Sequence, residues 1–227
     1  MYKKWHMKIL NLYAGIGGNR KLWDETLEQQ FGNNYQITAV EINPEVAAIY
    51  QDFYPNDKVI ITDAHQYLLE HYKEFNFIWS SPPCQTHSAM ARVNNKRYNL
   101  NQYPDMKLWQ EIIYLNEFFR GKWIVENVKP YYKVLFEAQK RERHLFWANF
   151  IIPNIKKKKI NNFIDANYAN LQEWLDIKMT KKVYLNKNHD YCQILRNCVH
   201  PEIGKVILDT AMNCYKEAQT RQMKLDF

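Results

Sequence analysis

The chain has 227 residues, a formal net charge of +7, 46% hydrophobic and 24% charged residues, a globular balance that excludes whole-chain disorder. No apolar run reaches the roughly 18 residues of a membrane span, no signal-peptide stretch follows Lys3, Lys4 and Lys8, and four cysteines make no disulfide framework, so a soluble cytoplasmic protein is expected. The basic balance points to a polyanion, nucleic acid first, although a bias toward Lys, Asn, Ile and Tyr brings such a balance without any ligand.

Met7 to Tyr13 has the pattern of a short strand. Three of the six glycines, Gly15, Gly17 and Gly18, follow within four positions, which marks a turn where backbone freedom is used. A helix is expected from Asn19 to Gln30, a second strand from Tyr35 to Ile42, and a helix opened by Pro44. The third strand, Lys58 to Thr62, ends at Asp63 and leads to a short helix from His65 to Tyr72. The fourth, Phe75 to Trp79, runs into Ser80-Ser81-Pro82-Pro83-Cys84. A polar, basic stretch from Gln85 to Asp105 carries Arg92, Lys96 and Arg97. Met106 to Phe119 is a helix pattern, Lys122 to Val128 a fifth strand, and His144 to Ile152 one more. Lys156 to Asn188 is polar and basic without a period, and Pro201 to Gln219 is a long closing helix. Alternating strands and helices specify a doubly wound parallel sheet. Ligands bind at the carboxyl ends of such strands. The glycine cluster, Glu41, Asp63, Cys84 and Glu126 all fall there.

The glycines permit a tight turn under a ligand, and Glu41 is placed to accept hydrogen bonds from ribose hydroxyls. The spacing departs from the dinucleotide fingerprint, and Asn19-Arg20 stands where a phosphate-cradling Lys-Ser/Thr would be. A phosphate-free cofactor, S-adenosylmethionine, fits better, against the plainer reading of a structural turn. Cys84 lies in a polar turn beside a basic segment, where a thiol can act as a nucleophile. Glu126, ending the neighbouring strand, faces the same cleft. Carbon 5 of cytosine becomes enamine-like when a thiolate adds at carbon 6 and an acid supports N3. A thiolate, a carboxylic acid and a methyl donor are the set this chemistry requires. Arg141 and Arg143 are candidates to hold O2 of the base.

Leu10 to Gly18, Pro83-Cys84-Gln85, Glu126-Asn127-Val128 and Gln139 to Arg143 resemble the ordered signature blocks of DNA cytosine-5 methyltransferases. Gln193 to Pro201 is similar to the C-terminal block of that family. The resemblance implies a Rossmann-like methyltransferase sheet that uses S-adenosylmethionine on double-stranded DNA, as a monomer, with no metal. It implies that Tyr13 stacks on the adenine, Glu41 binds the ribose and Asp63 takes the adenine amino group. Ala14, Gly15, Ile16, Gly17, Gly18, Ile42, Ala64, Pro83 and Asn197 complete the implied cofactor site. Cys84 is the implied nucleophile, Glu126 the N3 partner, and Arg141 and Arg143 the phosphate and base contacts. The target cytosine is flipped out of the duplex. The segment from Gln85 to Asp105 is the implied catalytic loop, with Gln85, Ser88, Arg92, Lys96 and Arg97 against nucleic acid and Lys156 and Lys157 beside the recognition segment. Residues 1–150 are then the catalytic and cofactor-binding part, 151–192 a short recognition segment, and 193–227 a return to the catalytic domain.

Three departures from the family pattern carry expectations. Only 11 positions separate Val128 from Gln139, so the sheet is expected to be one strand short. Arg196 replaces a glycine of the C-terminal block, and the short recognition segment implies a short or relaxed target site. Three rivals remain: the same chemistry on structured RNA, a non-catalytic DNA-binding protein that keeps the cofactor pocket, and an amino-methyltransferase. The last is disfavoured because Cys84 stands where that group has a stacking aromatic.

Overall fold

The computed structural model describes residues 6–155, 160, 163, 165–180, 182–185 and 191–214. Strands β1 (Met7–Leu12) and β4 (Phe77–Ser80) form the middle of the sheet. Their near-continuous apolar residues suit strands covered on both faces. β2 (Tyr35–Val40) and β3 (Lys58–Ile60) extend the sheet on one side, and β5 (Lys122–Val128) on the other, all parallel. β6 (Gln139–Arg141) and β7 (His144–Ala148) form a hairpin whose second strand pairs antiparallel with β5. The order is β3-β2-β1-β4-β5-β7-β6.

The sheet therefore has seven strands, not the shortened set expected from the Val128–Gln139 spacing. What the short connection omits is a helix, since no helix lies between β5 and β6. The missed strand is only three residues of Gln-Lys-Arg, too short and polar to show a period of two.

Side chains alternate between two cores. On one face Leu10, Leu12, Ile78, Trp123 and Val125 meet Leu68 of α3 (Ala64–His71) and Leu108, Trp109, Ile112 and Leu115 of α5 (Lys107–Phe118). On the other, Met7, Ile9, Ile37, Phe77, Trp79 and Ile124 meet Trp23 and Leu27 of α1 (Trp23–Phe31) and Ile203, Ile207 and Leu208 of α8 (Pro201–Ala211). α1 starts later than the sequence pattern suggests, because residues 15–22 turn beneath the strand ends. There Trp23 Nε1 donates to the Gly204 carbonyl at 3.2 Å. A Cβ on Gly204 would lie 2.1 Å from the Asn19 carbonyl oxygen, so α8 seats directly on the glycine turn.

Two helices lie where no period was visible. α4 (Ala89–Tyr98) occupies the basic stretch, with Ser88 accepting from the Ala91 N–H at its start and Asn99 in the left-handed region at its end. Of its side chains only Ala91 is buried, so there is no apolar stripe to read. α6 (Tyr168–Leu175), capped by Asn167, lies within residues 151–192. Its Leu171 and Leu175 pack with Ile194 and Leu195 of α7 (Gln193–Arg196) and with Val46 and Ile49 of α2 (Pro44–Phe53). Among the described residues, no helix is long and apolar enough to cross a membrane.

Candidate active site

The carboxyl ends of β1, β2, β3, β4 and β5 carry the residues singled out from the sequence. After β1, Tyr13 and Gly15 have φ of 54° and 55°, and Gly17 has 78°. A Cβ on Gly15 would meet nothing within 4 Å, so the loop is open on that side. Gly17 is filled from below by the Tyr54 and Tyr50 rings, and Gly18 by Cys198. Ala14 and Ile16 are buried, as is Ala64 at the start of α3. Within this loop, room for a ligand therefore lies over Gly15, while Ala14, Ile16, Gly17 and Gly18 supply the floor. Glu41 accepts from the Gly15 N–H at 3.0 Å through one oxygen and from the Asn43 N–H at 2.9 Å through the other. This fixes the carboxylate at the rim of the loop. Ile42 is 64% exposed beside it, and Ile61, not singled out from the sequence, is 58% exposed. Its signal was an isoleucine left at a strand end with no core to enter.

Asp63 caps α3, accepting from the Gln66 N–H at 2.9 Å, and its other oxygen lies 3.3 Å from Lys107 Nζ. The Gln66 N–H, then Lys107, hold its carboxyl below the usual range against a partial desolvation. Pro83 and Asn197 are both exposed. An open glycine loop, a pinned carboxylate and exposed apolar side chains, with no cluster of cations, fit a neutral-to-cationic nucleoside such as S-adenosylmethionine.

Beneath this loop is a carboxylate with no obvious sequence signal. Glu111 of α5 is fully buried. It accepts from the Tyr13 hydroxyl at 2.6 Å and the Ser80 hydroxyl at 2.5 Å, with His65 Nδ1 at 3.0 Å. An apolar helix pattern hides such a residue, because its burial depends on donors from three other segments.

Cys84, Glu126 and Arg143 come together. The Asn127 amide donates to the Pro82 carbonyl at 2.9 Å and so ties the proline turn to β5. Cys84 is half-buried; its carbonyl accepts from the N–H groups of His87 and Ser88, each at 3.0 Å. Burial, then the charge of Glu126, pushes the Cys84 thiol up, while Arg143 pulls it down. Burial pushes the Glu126 carboxyl up to about 7, against the Ser81 hydrogen bond and the charge of Arg143. His144 Nε2 stands 3.6 Å from Glu126 Oε1; neither Ser81 nor His144 was singled out from the sequence. Arg143 donates to the carbonyls of Arg196 at 2.9 Å and Cys198 at 3.3 Å and stacks 3.8 Å from the centre of the Phe163 ring. Through it the C-terminal block reaches the thiol.

Arg141 is not brought to this site. Its guanidinium donates to the carbonyls of Pro153, Lys140 and Ile152. It clamps the chain leaving β7, because the turn at Glu142, with a φ of 53°, comes between it and Arg143. Gln85, Arg92, Lys96 and Arg97 are exposed on or before α4, and Ser88 is its cap. Lys156 and Lys157 lie outside the described residues.

The family model for C-5 cytosine-specific DNA methylases matches residues 7–179. The chain belongs to this family. A tRNA (cytosine(38)-C(5))-methyltransferase of Spodoptera frugiperda is 29% identical over 195 residues, 84% of this chain and 50% of that protein. The chain thus spans about half the length of this curated relative. Solved structures are more distant. The plantazolicin methyltransferase BpumL is 18% identical over 56% of this chain and 41% of its own, with a TM-score of 0.33. TrmN of Thermus thermophilus is 13% identical over 53% and 33%, with the same score. The family is one of cytosine-5 methyltransferases, and use of S-adenosylmethionine is its general property.

Proposed function

We propose that the chain transfers the methyl group of S-adenosylmethionine to carbon 5 of a flipped cytosine in double-stranded DNA, by covalent catalysis through Cys84. The observation that carries this reading is the pairing of a nucleophile with an acid poised at neutral pH. Burial raises the Glu126 carboxyl to about 7, so its protonated form is available near neutral pH. A protonated Glu126 donates to N3, and the same proton removes the negative charge that opposes a Cys84 thiolate. Cys84 loses its proton to solvent, its sulfur adds to carbon 6, and the ring gains a nucleophilic carbon 5. S-adenosylmethionine, when bound, supplies the electrophilic methyl. Loss of the carbon 5 proton to solvent then expels the Cys84 sulfur as thiolate, the N3 proton returns to Glu126, and the aromatic ring is restored. Arg143, carrying a fixed positive charge among carbonyls, is placed to stabilise the negative charge that develops on the base.

Random-sequence duplex DNA carrying 5-fluorocytosine tests this, because fluorine cannot leave as a proton does. A denaturant-stable adduct is expected with the native chain, and none with Cys84→Ser, which keeps cofactor binding. Methylation by Cys84→Ser at the native rate would refute the mechanism. The Spodoptera frugiperda relative, whose name specifies tRNA, favours RNA as a second reading. Parallel assays on RNA of the same design separate the two, and bisulfite sequencing of DNA from expressing cells reports the target.

A further inference from the structure

His87, three positions after the nucleophile, is buried although the segment around it is polar. Its backbone N–H donates to the Cys84 carbonyl, and its own carbonyl accepts from the Tyr131 N–H, each at 3.0 Å. Its ring Nδ1 lies 2.5 Å from the Tyr132 hydroxyl, which also accepts from Trp109 Nε1 at 3.2 Å. With the tryptophan proton accepted, the phenolic O–H can donate to His87 Nδ1 when the imidazole carries its proton on Nε2. The far end of the 85–105 segment closes on the same turn, because the Asp105 N–H donates to Thr86 Oγ1 at 2.9 Å. Both the carboxylate and the backbone of Asp105 act on the His87 ring, while burial lowers the ring below the ordinary imidazole range. A neutral imidazole can exchange a hydrogen bond with the Tyr132 hydroxyl at Nδ1 in either tautomer.

We propose that His87 is a positioning residue: its bond to Tyr132 is the pin that fixes the Cys84 turn and both ends of the basic loop against the strap following β5. The inference rests on the covalent reading above only for its effect on rate. The structure surrounding the pin makes a separate claim about the mobility of the loop. Ala91 is the one buried side chain of α4, so the loop is held by its ends rather than by its helix. Loosening the pin displaces the sulfur relative to Glu126 without touching the cofactor loop after β1.

Two measurements test this on the full chain. The first is the rate of adduct formation at saturating concentrations of the 5-fluorocytosine duplex and S-adenosylmethionine. Tyr132→Phe and His87→Leu are expected to slow it by about tenfold to a hundredfold, the effect of a misplacement near 1 Å, with cofactor affinity unchanged. His87→Asn, which restores an acceptor at the position of Nδ1, is expected to return it to within about threefold of native, less than the effect of one lost buried hydrogen bond. The second is hydrogen exchange at the His87, Ser88 and Asp105 amides. It is expected to rise about tenfold in the first two variants, the effect of losing one buried hydrogen bond, and not in His87→Asn. Tyr132→Phe keeps its ring packing and serves if His87→Leu does not fold. Unchanged exchange in Tyr132→Phe, or no rescue by His87→Asn, overturns the proposal. Absence of any adduct from the native chain would instead refute the covalent reading and leave the exchange experiment to decide the pin.

Discussion

Glu126 shows how one residue couples stability to chemistry. Folded, its carboxyl holds a proton up to about pH 7; in the unfolded chain it loses that proton near 4.5. The folded state binds the extra proton between these limits, so this group lowers stability as pH rises through that window. Glu126→Gln removes the effect. Thermal melts should show the variant more stable than native at pH 8 and little changed at pH 4, while turnover falls by at least about a hundredfold, the scale of general acid catalysis. The variant also loses the charge that raises the Cys84 thiol, so alkylation of the Cys84 peptide by iodoacetamide should move to lower pH. Cys84, Glu126, Glu41 and Asp63 could be placed at the carboxyl side of the sheet because each lies close to the end of an apolar run. Glu111, His87 and His144 could not. Their roles depend on partners that only the folded chain brings near: Tyr13 and Ser80 for Glu111, Tyr132 for His87, and Glu126 for His144.

Between elements, α8 approaches the glycine turn backbone to backbone. A Cβ on Gly204 would stand 2.1 Å from the Asn19 carbonyl and 2.7 Å from its carbon, and backbone cannot swing aside as a side chain can. Gly204→Ala should destabilise the fold by about 1–3 kcal/mol, the usual effect of overpacking. A thermal melt reads that loss, and weaker binding of S-adenosylmethionine should accompany it because Asn19 belongs to the same turn. The alternation of strands and helices was readable since each strand from β1 to β5 carries an apolar run. β6 and α4 escaped because neither buries a stripe: three polar residues form one, and only Ala91 of the other is buried. Arg141 was misplaced for a related reason. Arg141 ends β6 while Arg143 lies in the turn before β7, where Glu142 has a φ of 53°, so the two diverge, one to the Pro153 carbonyl and one to those of Arg196 and Cys198.

At the scale of the molecule, a net charge of +7 predicts salt-sensitive binding to nucleic acid. Replacing Arg92, Lys96 and Arg97 together by Ala should flatten the plot of log affinity against log salt. If each contacts a phosphate, the slope changes by about 0.9 per residue on duplex DNA and about 0.7 on a single strand. Fluorescence anisotropy over a salt series measures it, and an unchanged slope would remove α4 from the nucleic-acid surface. The division between the catalytic part and the recognition segment is less sharp in space than along the chain, because Leu171 and Leu175 share one core with Val46, Ile49 and Ile194.

The floor under Gly18 is Cys198, and the brace behind Asn19 is Gly204. During translation these supports leave the ribosome long after the turn they complete. A nascent chain stalled short of residue 196 should therefore fail to retain S-adenosylmethionine, because neither support has yet been made.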